Sequence, residues 1–271
     1  MNVSPAMQFT RYIALGDSMS IDQYPALDAT EAAGSVGRGA AQLFVELPLG
    51  AASLLYRNDP VYWPEFISRD LSTRCPKIAF TNLASDGATI GDVFGAQLPE
   101  LRGDDSRALV TLTVGGNDLL SAFAGKPSSE VMERAVRDII EAYRLMVQRI
   151  GEICPNALLV LTTVYDPTDG TGKLTGVLPG VAKVPLPHLD ALNEAIRAMA
   201  AADGSLVLAD VHQQFLGHGL TAKARDRWYW KHSIIEPSAE GASEIRRAWL
   251  DALDSVTDSS PSTFVKGAKW P

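Results

Sequence analysis

The feature that most constrains the fold is the alternation of short apolar runs with longer helical patterns along the chain. Five runs are rich in β-branched residues or leucine, are bounded by turn residues, and predict strands at 12–15, 78–84, 108–114, 158–164 and 206–209. Because these runs lack strict alternation of apolar and polar residues, we expect both faces of the strands to be buried.

Helical patterns of suitable length lie between and after these strands, at residues 64–73, 90–101, 129–153, 189–202 and 238–252. In the third, Val131, Ala135, Ile139, Leu145 and Ile150 roughly trace one helical face, and we expect that face to be buried. Strands that alternate with helices imply right-handed crossovers and a parallel sheet covered on both sides. The sequence therefore predicts an α/β fold with three α/β/α layers and a five-stranded, mostly parallel sheet.

The domain is predicted to span residues 1–255, followed by a C-terminal tail at 256–271. Three segments interrupt the strand and helix pattern, near 21–60, 166–187 and 211–233, and are predicted to be long loops. Long loops in compact domains are usually functional or mobile, so these segments are candidate walls of a substrate site.

Charge and composition exclude several classes of protein. The net charge of −8 disfavours a nucleic-acid surface, which needs clustered lysine and arginine. No apolar run approaches the roughly 20 residues that a membrane span needs. The N-terminal region has no signal-peptide pattern, so we expect a cytoplasmic protein. Two cysteines, Cys75 and Cys154, predict free buried thiols, and no metal site is expected.

Polar turns follow the first three predicted strands. They are Gly16-Asp17-Ser18, the turn that contains Gly87 after Asn82, and Gly115-Gly116-Asn117-Asp118. Ligands bind beyond the carboxyl ends of parallel strands, so we expect these turns to meet at one site. A hydroxyl at the start of a following helix, beside N–H and amide donors, suits acyl transfer, because the donors stabilise the developing oxyanion. The alternative for each turn is simple helix capping.

On these three blocks the chain resembles the SGNH hydrolases, also called the GDSL esterase and lipase superfamily. The resemblance implies that Ser18 is the nucleophile. It implies an oxyanion hole made of the Ser18 and Gly87 backbone amides and the Asn117 side chain. It further implies a flavodoxin-like sheet, no cofactor and a small-molecule ester as the substrate.

The fourth block departs from the family pattern. Family members usually place Asp-x-x-His just before the last helix, commonly followed by Pro and then Gly. Aligning Pro237 and Gly241 with that pattern puts Glu236 at the histidine position and Ser233 at the aspartate position. The usual base and its partner are therefore both absent from this place in the sequence.

A serine hydroxyl needs a base to accept its proton, and the chain has four histidines, namely His188, His212, His218 and His232. We predict His232 as the base because it lies in the expected region. The second choice is His218, within the permissive loop Gly217-His218-Gly219, and a third possibility is that no histidine acts.

Glu236 is the predicted orienting carboxylate for this imidazole, with Asp226 and Asp210 as lesser candidates. The alternative for Glu236 is a carboxylate that only interacts with the dipole of the last helix. The aromatic residues Trp228, Tyr229 and Trp230 are expected to pack their loop onto the domain.

The sequence thus predicts a serine esterase that works through an acyl-enzyme. The absence of an extended apolar lid segment favours small acyl groups such as acetyl. The alternative is a catalytically impaired SGNH-fold protein that binds a carbohydrate or an acylated ligand, because Asp-x-x-His is missing. A nucleotide binder is disfavoured, since no Gly-x-Gly-x-x-Gly follows the first strand.

Overall fold

The computed structural model describes residues 9–32, 48–103, 106–124, 127–178, 181–184 and 186–258. These residues form nine strands: β1 (Arg11–Gly16), β2 (Ala79–Asn82), β3 (Ala108–Thr113), β4 (Leu158–Thr162), β5 (Lys173–Leu178), β6 (Val181–Lys183), β7 (Leu206–Ala209), β8 (Tyr229–Trp230) and β9 (Ser233–Pro237).

The α-helices of the described residues are α1 (Gln23–Ala32), α2 (Ala51–Tyr56), α3 (Leu71–Arg74), α4 (Ile90–Asp92), α5 (Gly116–Ala124), α6 (Ser129–Ile153), α7 (Leu186–Ala202), α8 (Val211–Phe215) and α9 (Ala239–Asp258). Helix α4 continues as a π-helical turn over Val93–Gln97 and a 3-10 turn over Leu98–Glu100.

The central sheet has five parallel strands in the order β2-β1-β3-β4-β7. This is the flavodoxin-like order, in which the chain reverses direction across the sheet beside β1 and β3. The predicted fold class is therefore confirmed, and each of the five predicted strands lies in this sheet. The remaining strands form two antiparallel hairpins, β5-β6 and β8-β9.

Both faces of the sheet are buried at β1, β3 and β4, as expected, whereas the edge strand β2 alternates between exposed and half-buried residues. Successive side chains of β1 point to opposite faces. Tyr12 joins the apolar cluster that contains Trp249 of α9, and Ile13 joins the cluster that contains Tyr143 of α6. The indole Nε1 of Trp249 donates a hydrogen bond to Thr162 Oγ1 at 2.9 Å, so this buried polar group is satisfied.

Helix α6 has the predicted bounds but a different buried face. Val131 and Leu145 are 54% and 51% exposed, so the predicted stripe was wrong at these positions. The helix instead buries a neighbouring stripe made of Met132, Val136, Tyr143, Met146, Val147 and Ile150. Only Ile150 belongs to both, because apolar residues flank the contact face on either side and the sequence pattern alone does not separate them.

Two other predicted helices are broken. The segment 64–73 forms only a 3-10 turn at Pro64–Phe66 and the short α3. Ser68 has a φ of 67°, which interrupts helical geometry, and Asp70 then caps α3 by accepting a hydrogen bond from Thr73 N at 3.0 Å. The segment 90–101 is divided between α4 and its two irregular turns.

The predicted loops contain regular structure that their composition did not reveal. The first holds α1 and α2, the second holds the β5-β6 hairpin, and the third holds α8 and β8. Helix α9 extends to Asp258, past the predicted domain end at 255. Residues 33–47 of the first loop and 259–271 of the predicted tail lie outside the described residues.

Candidate active site

Ser18 lies in a tight turn directly after β1, at the carboxyl edge of the sheet. Gly16 has a φ of 121°, and a Cβ at that position would lie 1.7 Å from the carbonyl oxygen of Thr113, so only glycine fits. Asp17 N donates to the same oxygen at 2.8 Å. The expected helix start at Ser18 is wrong, since α1 begins at Gln23. Backbone and Asp17 contacts, rather than a helix, hold the turn.

Gln97 fixes this turn from the neighbouring π-helical segment. Its Oε1 accepts from Gly16 N and its Nε2 donates to Gly16 O, both at 2.8 Å. Gln97 is buried, so leaving either bond unmade would cost a desolvation penalty of about 1–3 kcal/mol. Sequence reasoning missed this residue, and no local signal marks it, because its role depends on a contact 81 positions away.

A cavity of about 700 Å³, its open mouth included, lies beside Ser18. Ser18, Asn117 and Glu236 all line it. The rest of the lining is mostly apolar and includes Met19, Leu119, Phe123, Leu174, Leu189 and Ile235. The cavity therefore combines a few polar side chains, among them that of Ser18, with a mostly apolar lining.

Asn117 lies in the first turn of α5 and reaches this cavity. Its Nδ2 donates to Ala88 O at 3.0 Å, which orients the amide. The next residue, Asp118, accepts a hydrogen bond from Ile90 N at 3.1 Å. These contacts tie the turn after β3 to the turn after β2, so the two predicted polar turns do meet in space.

Gly87 lies in the turn after β2, next to Ala88, with a φ of 68° that favours glycine. It does not line the cavity itself. Within the described part of the chain, the backbone N–H groups of Ser18 and Gly87 donate no hydrogen bond.

Glu236 faces Ser18 across the cavity. The carboxylate lies on β9, is only 8% exposed, and lines the same cavity as Ser18, whose hydroxyl interacts with it. Its Oε2 atom is buried and has no hydrogen-bond partner among the described residues. Burial raises the pKa of Glu236 to about 7, the interaction with Ser18 opposes this rise, and the charges of Asp86 and Asp17 add to it.

Asp17 is a second buried carboxyl at the same end of the cavity. Burial raises its pKa to about 7, although the Met19 backbone N–H donates to Asp17 Oδ1 at 3.1 Å and lowers it. Two carboxyls that bind a proton near neutral pH thus flank one hydroxyl. Perturbed groups that converge in a cleft mark a functional site.

The surroundings of Glu236 hold it against Ser18. Tyr165 donates from its hydroxyl to Ile235 O at 2.7 Å, and Ser238 N donates to Trp228 O at 2.9 Å. A Cβ at Gly241 would lie 2.0 Å from that Trp228 oxygen. The glycine that follows Pro237 in the fourth block therefore allows α9 to pack closely on the β8-β9 hairpin.

None of the four histidines lines the cavity. The Nε2 of His232 lies 3.1 Å from Glu31 Oε1, and the side chain is 56% exposed. His218 stacks on Trp228 with ring centroids 3.5 Å apart, and its Nδ1 lies 2.9 Å from Asp226 O. The structure thus gives both predicted bases other partners and does not bring either to the Ser18 cavity.

The remaining candidates are also engaged elsewhere. His212 Nδ1 lies 3.1 Å from Val164 O, and the ring of His188 packs near Phe123. Asp210 pairs with Arg197 at 2.8 Å, which helps to hold the pKa of Asp210 below its usual range. No imidazole lines the cavity beside Glu236, and the hydroxyl that interacts with Glu236 there is that of Ser18.

A family model described as the GDSL-like lipase/acylhydrolase family matches residues 14–243, which include all of this site. The chain belongs to the GDSL-like lipase/acylhydrolase family. The predicted resemblance is thereby confirmed. Ester hydrolysis is the reaction that membership of this family supports, and the family implies a serine nucleophile. No curated protein matches the chain.

Solved structures of three enzymes share the fold. A lipase from a goat rumen metagenome is 17% identical, with 89% of this chain and 96% of that chain covered and a TM-score of 0.56. Phospholipase A1 from Streptomyces albidoflavus is 22% identical, with 90% and 98% covered and a TM-score of 0.50. A catalytic mutant of an acetylxylan esterase from Geobacillus stearothermophilus is 15% identical, with 93% and 96% covered and a TM-score of 0.53.

The described residues contain no group of three or more His, Cys, Asp or Glu side chains that could hold a metal ion. Cys75 and Cys154 are both buried, as predicted. No helix in the described ranges is long and apolar enough to cross a membrane.

Proposed function

We propose that this GDSL-family hydrolase cleaves carboxylic esters through an acyl-enzyme on Ser18. The observation that carries the proposal is the Ser18 turn itself. The geometry of this turn needs a glycine at residue 16, and the buried Gln97 is hydrogen-bonded to it. Ser18 lines a cavity that Asn117 and Glu236 also line. A residue that only capped a helix would not require this environment, and no helix begins at Ser18.

In the proposed reaction the Ser18 Oγ attacks the acyl carbon and negative charge develops on the carbonyl oxygen. The Ser18 and Gly87 backbone N–H groups and the Asn117 amide donate hydrogen bonds to that oxygen. Ala88 O accepts only one of the two Asn117 Nδ2 hydrogens, so the other remains to bind the oxyanion. Each such donor contributes about a hundredfold to a thousandfold in rate.

The apolar interior of the cavity leads us to propose acyl groups that carry a short-to-medium apolar chain. Each buried methylene contributes about 0.8 kcal/mol, so chain length should strengthen binding. The sequence argument for acetyl groups rests on the absence of an extended apolar lid segment. The residues that line the cavity give that argument no further support. Acetyl preference is therefore the competing substrate proposal, and rates on p-nitrophenyl acetate, butyrate and octanoate distinguish the two.

The test of the hydrolase proposal is p-nitrophenyl butyrate hydrolysis by the wild type and by Ser18→Ala. We expect the variant to fall to the background rate while it keeps the wild-type melting temperature. Ser121→Ala on the exposed side of α5 is the matched control and should keep full activity.

The second candidate is an impaired SGNH-fold protein that binds an acylated ligand in this cavity. The observation in its favour is the lack of a histidine among the lining residues. Equal background rates for the wild type and Ser18→Ala on all three esters, together with binding of octanoate by both, would establish this candidate and refute the hydrolase.

A further inference from the structure

We propose that Glu236 is the catalytic base of this enzyme and accepts the Ser18 proton directly, in the role that a histidine has in related hydrolases. The proposal rests on the hydrolase function above and adds to it the group that activates the nucleophile. It changes the role of Glu236 from orienting an imidazole to touching the reacting hydroxyl.

The first support is geometric. A general base must lie within hydrogen-bond reach of the proton that it removes. Glu236 and Ser18 line one cavity, the buried Glu236 Oε2 has no hydrogen-bond partner among the described residues, and the carboxylate interacts with the Ser18 hydroxyl. Tyr165 anchors the preceding carbonyl of β9, and α9 begins directly after Ser238, so the carboxylate is held between two fixed elements.

The second support is that His232, His218 and His212 contact groups other than Ser18. His232 contacts Glu31 of α1, and His218 is stacked flat on Trp228. His212 is held against Val164 O at 3.1 Å. Bringing any of these rings to Ser18 would require breaking those contacts, whereas Glu236 already lines the Ser18 cavity.

The third support is the charge environment. Glu236 interacts with the Ser18 hydroxyl and with four titratable groups, which are Asp17, Asp86, Tyr24 and Tyr165. None of these groups of the described chain is a cation. Burial beside two other carboxyls gives Glu236 a higher affinity for a proton than a carboxylate has in water. An efficient base has a pKa near the working pH.

The proton balance is complete with Glu236 alone. As the Ser18 Oγ bonds to the acyl carbon, its proton passes to the Glu236 carboxylate and the carbonyl oxygen becomes the oxyanion. Collapse of this intermediate breaks the bond to the alcohol, whose oxygen takes the proton from Glu236. Water then attacks the acyl-enzyme, gives a proton to Glu236, and that proton returns to Ser18 Oγ as the acid leaves.

The test compares Glu236→Gln with Glu133→Gln, a control that removes an exposed glutamate of α6. The glutamine keeps the size of the side chain but cannot accept and return a proton. We expect kcat for p-nitrophenyl butyrate to fall about a hundredfold to ten-thousandfold in Glu236→Gln, the range of general-base catalysis. The control should keep the wild-type kcat, and circular dichroism should show that both variants fold.

The pH profile separates a base from a structural carboxylate. We expect kcat/KM of the wild type to rise with pH through an apparent pKa near 7, as Glu236 ionises, and the residual activity of Glu236→Gln to lack this limb. Glu236→His is the second variant, because an imidazole can also accept the proton there. It should exceed Glu236→Gln at least tenfold in kcat.

Loss of activity in His232→Asn or His218→Asn, with Glu236→Gln near the wild-type rate, would overturn the proposal and place the base on a histidine. A folded Glu236→Gln that keeps both its rate and its pH limb would also overturn it. In either case Ser18→Ala would still be inactive, so the hydrolase function would survive. If the hydrolase function itself were wrong, the wild type and Ser18→Ala would instead have equal background rates.

Discussion

The buried carboxyl of Glu236 predicts a pH-dependent loss of stability that Glu236→Gln should remove. The pKa of Glu236 rises from an ordinary value of 4.5 to about 7 in the folded protein. One pKa unit corresponds to 1.36 kcal/mol, so ionising this carboxyl costs the folded state about 3 kcal/mol. The amide of the Glu236→Gln variant would carry no charge at any pH.

The direction of the effect follows from proton binding. Between about pH 4.5 and 7 the native state keeps the Glu236 proton and the unfolded chain loses it, so the free energy of unfolding falls as the pH rises. Below 4.5 both states are protonated and this contribution to stability is fully present. Wild type and Glu236→Gln should therefore have similar stabilities near pH 4.5, and the variant should be more stable by about 2–3 kcal/mol at pH 8.

Urea unfolding followed by the fluorescence of the five tryptophans, at pH steps from 5 to 8, measures this difference. Asp17 remains in both proteins, and because its charge raises the pKa of Glu236, the measured difference includes this coupling. Glu133→Gln again controls for the loss of one negative charge at the surface. A stability difference that stays constant across this pH range would refute the reasoning, because it would mean that Glu236 is as easily ionised in the folded protein as in the unfolded chain.

Three further changes test the site. Gly16→Ala places a Cβ 1.7 Å from Thr113 O at a positive φ, and we expect a loss of more than about 3 kcal/mol in the free energy of unfolding, measured in urea. Asn117→Ala should lower kcat about a hundredfold or more with little change in KM, as removal of an oxyanion donor does; a change confined to KM would contradict that role. Leu174→Trp should fill the cavity and reduce octanoate ester hydrolysis far more than that of acetate esters; equal losses on both would show that the acyl chain binds elsewhere.

The parts of the fold that the sequence predicts are those with a strong local signal. The five strands of the sheet are continuous apolar runs, and α6 is a 25-residue amphipathic helix with Ser128 as its N-cap. The missed elements are short. Helix α5 begins at Gly116 inside a glycine-rich turn, and the β8-β9 hairpin has only two residues in one strand, so neither offers enough periodicity to be recognised.

The residues of the candidate site also differ in how strong a local signal they have in the sequence. The placement of Ser18, Gly87 and Asn117 could be predicted because each follows a strand, and the carboxyl ends of parallel strands share an edge. The base that we propose for Ser18 comes instead from the distant β9. His232 lies four residues before Glu236, but the hairpin directs it to Glu31 on α1. Alignment of Pro237 and Gly241 already pointed to position 236, and the close approach of Gly241 to Trp228 O gives the physical reason for that pattern.

A carboxylate at this position changes the electrostatics of the reaction. A neutral histidine that takes the serine proton creates an imidazolium beside a new oxyanion, and a second carboxylate then stabilises the cation. With Glu236 as the base, a negative charge moves from the buried carboxylate to the oxyanion and the net charge of the site does not change. No cation forms, so no orienting aspartate is needed, and Ser233 can occupy the position where related hydrolases have one. The same burial that makes ionised Glu236 costly in the resting enzyme then favours the proton transfer, because that step returns Glu236 to its neutral form.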